Sequence, residues 1–162
     1  MKMAIAQFNP VAGDFTQNGR TMTRYIEEAS ERDCSFVAFG EMSDVGYDMP
    51  TIMRTAQPYG EGAHAALKEA AAANSMFVAA GVAEREGDEV FNTVVVIGPD
   101  GNDIAKYRKI HLVTAKPMFE HKFISAGSDL VVVDIGGVKC GFMTCYDIRF
   151  PHLYQRLAQA GA

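Results

Sequence analysis

A layered α/β protein built on a mixed sheet is the fold class this sequence predicts, and three observations predict it. Helical and strand patterns alternate through the first half of the chain. The runs CSFVAF, TVVVI and LVVVDI are apolar at nearly every position, as strands covered on both faces are. Turn signals of the hairpin kind crowd the second half.

Residues 2–8 read as a first strand, stopped by Asn9-Pro10. Gly13-Asp14 then opens a helix over 16–33, whose buried stripe is Met22, Tyr25, Ile26 and Ala29 at helical spacing. Residues 34–39 form a short buried strand ended by Gly40-Glu41, and a loop containing Gly46-Tyr47 follows. The alanine-rich stretch 63–74 is helical. Residues 76–83 and 90–97 are strands around a turn at Glu86-Gly87-Asp88. After Pro99-Asp100-Gly101, residues 104–108 pair back on the preceding strand. Residues 110–127 have no clean period and read as a long ordered loop. Strands over 130–135 and 138–143 are joined by Gly136-Gly137, and 150–160 is the last helix. No repeat or linker interrupts the chain, so 1–162 reads as a single domain.

Composition narrows the function classes. The chain is 48% hydrophobic, enough for a real core, and its net charge is −5, which argues against nucleic acid or an anionic membrane as partner. No apolar run approaches the ~18 residues of a membrane span. The N-terminus lacks the apolar core and cleavage site of a signal peptide. The expectation is a soluble, cytoplasmic protein. Three cysteines without a CxxC pair indicate neither a disulfide framework nor a zinc site, and the four histidines are scattered, so no metal site is expected.

One cysteine stands apart. Cys34 and Cys140 sit in strand runs, where a cysteine behaves as a small apolar residue. Cys145 stands where a strand turns into a helix, at the carboxyl edge of a sheet, where α/β proteins bind ligands. A nucleophilic thiol needs a base or a cation beside it. Glu41 also follows a buried strand directly, and a carboxylate there must be paired. It reads either as that partner or as a loop acid. Lys109 ends the run IAKYR and is either a third partner or one charge in a solvated cluster with Lys106 and Arg108. His111 is a weaker candidate for the base and is as readily a loop-packing residue.

Taken in order, FGEM…GY, KYRKIHL, FEHKFISAG and CGFMTCYDIRFP, with the opening strand MAIAQFNP and the GDF…N helix start, resemble the nitrilase or carbon–nitrogen hydrolase superfamily over essentially the whole chain. The resemblance implies an αββα sandwich of four layers, of which these residues would cover roughly the N-terminal half. It implies a triad of Glu41 as base, Lys109 as oxyanion cation and Cys145 as nucleophile. Glu120 becomes a second, supporting glutamate, against the plain reading of a surface loop acid, and the backbone N–H of Tyr146 becomes an oxyanion donor. The implied reaction is hydrolysis of a carbon–nitrogen bond through a cysteine thioester, with no cofactor or metal needed. Tyr146-Asp147 after the cysteine, and the absence of tryptophan, place the chain with the amidase-type branches and point to a small linear amide. Arg149 would either meet a substrate carboxylate or brace the turn through Asp147.

Two departures from the family pattern carry expectations. Gly40 replaces a common proline and is expected to loosen the approach to Glu41. The chain ends at LAQAGA, where the next strand of the sandwich would begin. These residues alone are therefore expected to leave apolar surface uncovered and to turn over slowly. A C-terminal half would be a partner, as would a second copy meeting the Leu153, Tyr154 and Leu157 stripe of the last helix in a homo-oligomer. A non-catalytic, nitrilase-like packing module is the rival reading.

Overall fold

The computed structural model describes residues 1–162. Its first layer of strands comprises β1 (Met3–Ala6), β2 (Phe36–Phe39), β3 (Gln57–Pro58), β4 (Phe77–Glu86), β5 (Glu89–Ile97) and β6 (Asp103–Arg108), in the order β1-β2-β4-β5-β6 with β3 beside the far end of β4. The pairs β1–β2 and β2–β4 are parallel, whereas β4–β5 and β5–β6 are antiparallel. The mixed sheet follows from the connections. Helices α1 (Phe15–Glu31) and α3 (Ala63–Asn74) lie in the parallel crossovers, and tight turns join β4, β5 and β6.

Alternation along each strand sorts the core into two sides. Val37, Val78 and Val95 face the helices and bury Met22, Ile26 and Leu67. Phe36, Ala79 and Val96 face the other way and meet Ile135, Val133 and Cys140 of a second, two-stranded sheet, β7 (Val132–Ile135) and β8 (Val138–Gly141), together with Phe142 just beyond it. Each such large aliphatic side chain withdrawn from water contributes about 1.5–3 kcal/mol. A final helix, α4 (Pro151–Gln159), covers the outside of β8. A Cβ on Gly141 would fall 3.0 Å from Leu157, so the small residue lets the helix lie close. The layer order is helix, sheet, sheet, helix.

Beyond shifts of a residue or two at element ends, and the short pieces β3 and a 3-10 turn at Glu120–Lys122 in segments read as loop, the observed elements differ from the sequence expectations at α2 (Met49–Thr55), β4, β8 and α4. Helix α2 occupies a segment read as loop. Asp48 caps it by accepting from Thr51 N at 3.1 Å, and Pro50 stands in its first turn. Strand β4 runs on to Glu86 and pairs with β5 down to Glu86–Glu89, so the turn is only Gly87-Asp88, with Gly87 at φ +59°. Strand β8 stops at Gly141 because its partner β7 begins at Val132, and Phe142 keeps a single bond to Val131 O at 3.3 Å. The stripe of α4 is spent inside the chain: Leu153 and Leu157 are buried and only Tyr154 points out.

The apolar runs expected to lack cover are largely covered, with Phe36, Val37, Val95, Val96 and Ile97 buried, and the exposed apolar surface lies instead on β1. Met3 and Ile5 pair with Phe36 and Ala38 and so share the face turned to the second sheet. The β7–β8 hairpin does not reach that far, and Ile5 is left 76% exposed. No helix is long and apolar enough to cross a membrane.

Candidate active site

Three segments deliver the site. Glu41 follows β2 by two residues, Lys109 follows β6 directly, and Cys145 opens a 3-10 turn (Cys145–Arg149) after β8. Lys109 is buried and donates to Glu41 Oε1 at 2.8 Å and to Glu120 Oε1 at 2.9 Å. It has left the cluster in which the sequence could also place it. Lys106 and Arg108 both turn to Glu84, on the helix-covered face of the sheet, at 2.8 and 2.5 Å. Burial alone would lower the Lys109 pKa, but the hydrogen bonds and charges of Glu41 and Glu120 outweigh it, and the net direction is up. Lys109 is a fixed cation.

The two glutamates are held differently. Glu120, fully buried, accepts at Oε1 from Lys109 and from the Tyr47 hydroxyl, and at Oε2 from Val113 N at 2.7 Å. Both its oxygens are committed. Glu41 accepts from Lys109 and from Asn92 Nδ2 at 2.6 Å, both at Oε1, so no N–H donor occupies its Oε2, and the Cys145 thiol is a hydrogen-bond partner of the same carboxylate. Tyr47 is kept protonated, its pKa raised first by burial and then by Glu120.

Cys145 is exposed and shares a groove of about 380 Å³ with Glu41, lined by Phe39, Gly40, Phe142 and Met143. Its φ of +46° is left-handed, unusual outside glycine, and Thr144 before it is extended. The sharp change of direction lifts the thiol off the sheet edge. Although the residue is exposed, its thiol is partly desolvated, and its pKa is raised first by that and then by the charge of Glu41, with Lys109 opposing. At neutral pH the group is a thiol that needs a base. The Tyr146 N–H donates to no backbone carbonyl, as expected at the start of a helical turn.

One expectation is corrected here, and two alternatives left open by the sequence are decided. Gly40 does not loosen Glu41: its carbonyl accepts from Gly81 N at 3.2 Å and from Ser43 Oγ at 2.8 Å. Gly81 permits that crossing, because a Cβ there would lie 2.6 Å from Gly40 O. Arg149 does not brace the turn through Asp147, whose oxygens are taken by Thr144 N, Tyr107 and His111, and the Arg149 side chain is exposed. His111 is a packing residue, stacked on Phe150 at 3.6 Å and bonded to Asp147.

Tyr47, Asn92 and Asp147 were not among the candidates, although a buried asparagine in the apolar run VFNTVVV was a signal that a polar partner waits inside. The loop that carries Glu41 is also fastened by Asp44, whose two carboxylate oxygens accept from Ala83 N at 3.1 Å. Burial pushes the Asp44 carboxyl up from 3.8 to about 7. A folded pKa above the unfolded one gives stability that is complete below the unfolded value and lost as pH rises through the folded value. Asp44→Asn is therefore expected to leave the urea midpoint nearly unchanged at pH 4. At pH 8 it should raise stability by about 3–4 kcal/mol relative to the unsubstituted chain. Parallel urea curves at the two pH values check this, and equal effects at both would contradict it.

Known proteins resemble the chain in sequence and in fold. The carbon-nitrogen hydrolase family model matches residues 2–162. Over 100% of its length the chain is 36% identical to a nitrilase of Pyrococcus abyssi and 33% identical to a 2-oxoglutaramate amidase of Bacillus subtilis. It spans about 62% of the length of each of these relatives. A solved amidase from Nesterenkonia sp. superposes with a TM-score of 0.91 at 22% identity, over 100% of this chain and 62% of that one. Motif order, layer order and a family match running almost from end to end leave one assignment: the chain belongs to the carbon-nitrogen hydrolase family.

Proposed function

We propose that Glu41, Lys109 and Cys145 form the acyl-transfer site of a cysteine amidase that hydrolyses a small linear amide. The observation that carries this reading is the buried Lys109 clamped between two glutamates, of which only Glu41 keeps an oxygen in reserve. That asymmetry divides the labour. Glu41 Oε2 takes the Cys145 proton as sulfur attacks the amide carbon. The Lys109 ammonium and the Tyr146 N–H stabilise the oxyanion. The tetrahedral intermediate collapses, the C–N bond breaks, and Glu41 returns the proton to the departing ammonia or amine. Water then attacks the thioester with Glu41 again as base, releasing the carboxylic acid and restoring the thiol. Glu120, with Tyr47 and Val113 N, holds Lys109 in place. Every transferred atom comes from the amide or from water, so the scheme requires no cofactor.

The substrate class is read from the same turn. Arg149, exposed and four residues after Cys145, suits an amide that also bears a carboxylate, as the 2-oxoglutaramate named for the Bacillus subtilis relative does. The test is a single-turnover experiment, which does not depend on rapid turnover. The chain in excess is mixed with matched linear amides and nitriles, quenched in acid and mapped by mass. The expected result is an acyl adduct on Cys145 from amides, with ammonia released faster from them than from nitriles. An adduct on another residue, no adduct, or preference for nitriles would sink the reading.

A further inference from the structure

Asp147 lies two residues after the nucleophile and is fully buried. A buried carboxylate is tolerated only where donors surround it. Here Oδ2 accepts from Thr144 N at 3.0 Å and from the Tyr107 hydroxyl at 2.5 Å, and Oδ1 accepts from His111 N at 2.8 Å with His111 Nδ1 at 3.0 Å. The origin of these donors is what matters. Tyr107 and His111 stand two residues before and two residues after Lys109, and Thr144 immediately precedes Cys145. One carboxylate therefore binds the segment carrying the cation on both sides of that cation, and binds the turn carrying the thiol at its root. Stacking of His111 on Phe150 ties the same segment to the far end of the turn.

From this arrangement, and resting on the amidase reading above, we infer that Asp147 is a positioning residue that sets the separation of Lys109 and Cys145. The link is needed because the two groups come from different sheets. Lys109 follows β6 of the first sheet and Cys145 follows β8 of the second. Nothing in either ladder of backbone bonds fixes one against the other. Sliding of the sheets by about 1 Å would misplace the oxyanion donor, a displacement that costs on the order of 100-fold in rate. The left-handed backbone of Cys145 also has to be held by its surroundings, and the bond from Thr144 N to Asp147 is one of the restraints.

The test follows Cys145 alkylation by iodoacetamide in the 162-residue chain from pH 6 to pH 10, resolved by peptide mass. Two variants are used. Tyr107→Phe removes one hydroxyl bond and keeps every backbone bond. Asp147→Asn keeps the shape but sets an NH₂ against at least one N–H donor. As Lys109 moves off, its charge no longer favours the thiolate, so the midpoint of the pH–rate curve should move up in both. The rate at pH 8 should fall about 3-fold in Tyr107→Phe, the loss of roughly one net hydrogen bond, and at least about 10-fold in Asp147→Asn. A role confined to folding would lower the urea midpoint without moving the pH midpoint of a folded variant, and that result would overturn the inference. If Asp147→Asn fails to fold, Tyr107→Phe alone decides in the same way. Failure of the amidase reading looks different, since Cys145 in the unsubstituted chain would then react no faster than Cys34 and Cys140.

Discussion

Lys109→Met is expected to slow acyl transfer severely and to destabilise the chain, a large combined effect for a single change. Lys109 is the only donor shared by Glu41 and Glu120, at 2.8 and 2.9 Å. Methionine fills the same volume and leaves two carboxylates facing each other with no cation between them. Breaking a buried pair by removing one partner costs about 3–5 kcal/mol, because the charges left behind are still desolvated. Acid relieves this, since protonating either carboxylate removes the repulsion. The stability lost should therefore be larger at pH 8 than at pH 5, which urea titration at the two pH values measures. Acylation of Cys145 by an amide should fall by about 100- to 1,000-fold, the scale of losing an oxyanion donor. Retention of acylation within tenfold would remove Lys109 from the mechanism. Glu120→Gln separates the roles further. It keeps the Lys109 contact through a neutral oxygen, so it should slow acylation less than Lys109→Met does.

How far the sequence foretold this site depends on the kind of signal each residue carries. Glu41, Lys109 and Cys145 each follow the end of a strand, and strand ends are legible from apolar runs that stop. Glu120 was legible only through the family resemblance, since nothing local marks a loop acid as buried. Asn92 and Asp147 were missed for a different reason. Their work is done across chain separations of 51 and 36 residues, which no local pattern encodes. Gly81 was hidden inside AAGVA, where it reads as one more small residue, and only the crossing of Gly40 over β4 explains it. Helix α2 shows the limit of periodicity: seven residues give barely two turns, although Asp48 and Pro50 announced its start. The β4–β5–β6 meander was easy by comparison, because glycine turns between long apolar runs leave few other pairings.

Replacing Cys145 by glycine and by alanine should invert the usual order of stability. In an ordinary helical position glycine is less stable than alanine by about 1 kcal/mol, because its unfolded chain has more freedom to lose. At Cys145 the backbone sits at φ +46°, where a Cβ is crowded and glycine is not. Strain of this kind costs on the order of 1–3 kcal/mol. Cys145→Ala keeps the Cβ and the strain; Cys145→Gly removes both. The side chain is exposed, so little apolar burial is lost in either variant. Glycine should therefore equal or exceed alanine, with a net advantage near 1 kcal/mol once its unfolded-state entropy is set against the relieved strain. Both variants should give no acyl adduct at all, since neither has a sulfur to attack with. The chain would then hold its nucleophile in a conformation that disfavours its own stability, the trade expected of a residue placed for chemistry. Urea unfolding of the two variants side by side measures the inversion. Alanine more stable than glycine by the ordinary margin would show that the turn imposes no strain on Cys145, and an acyl adduct in either variant would show that the thiol is not the nucleophile.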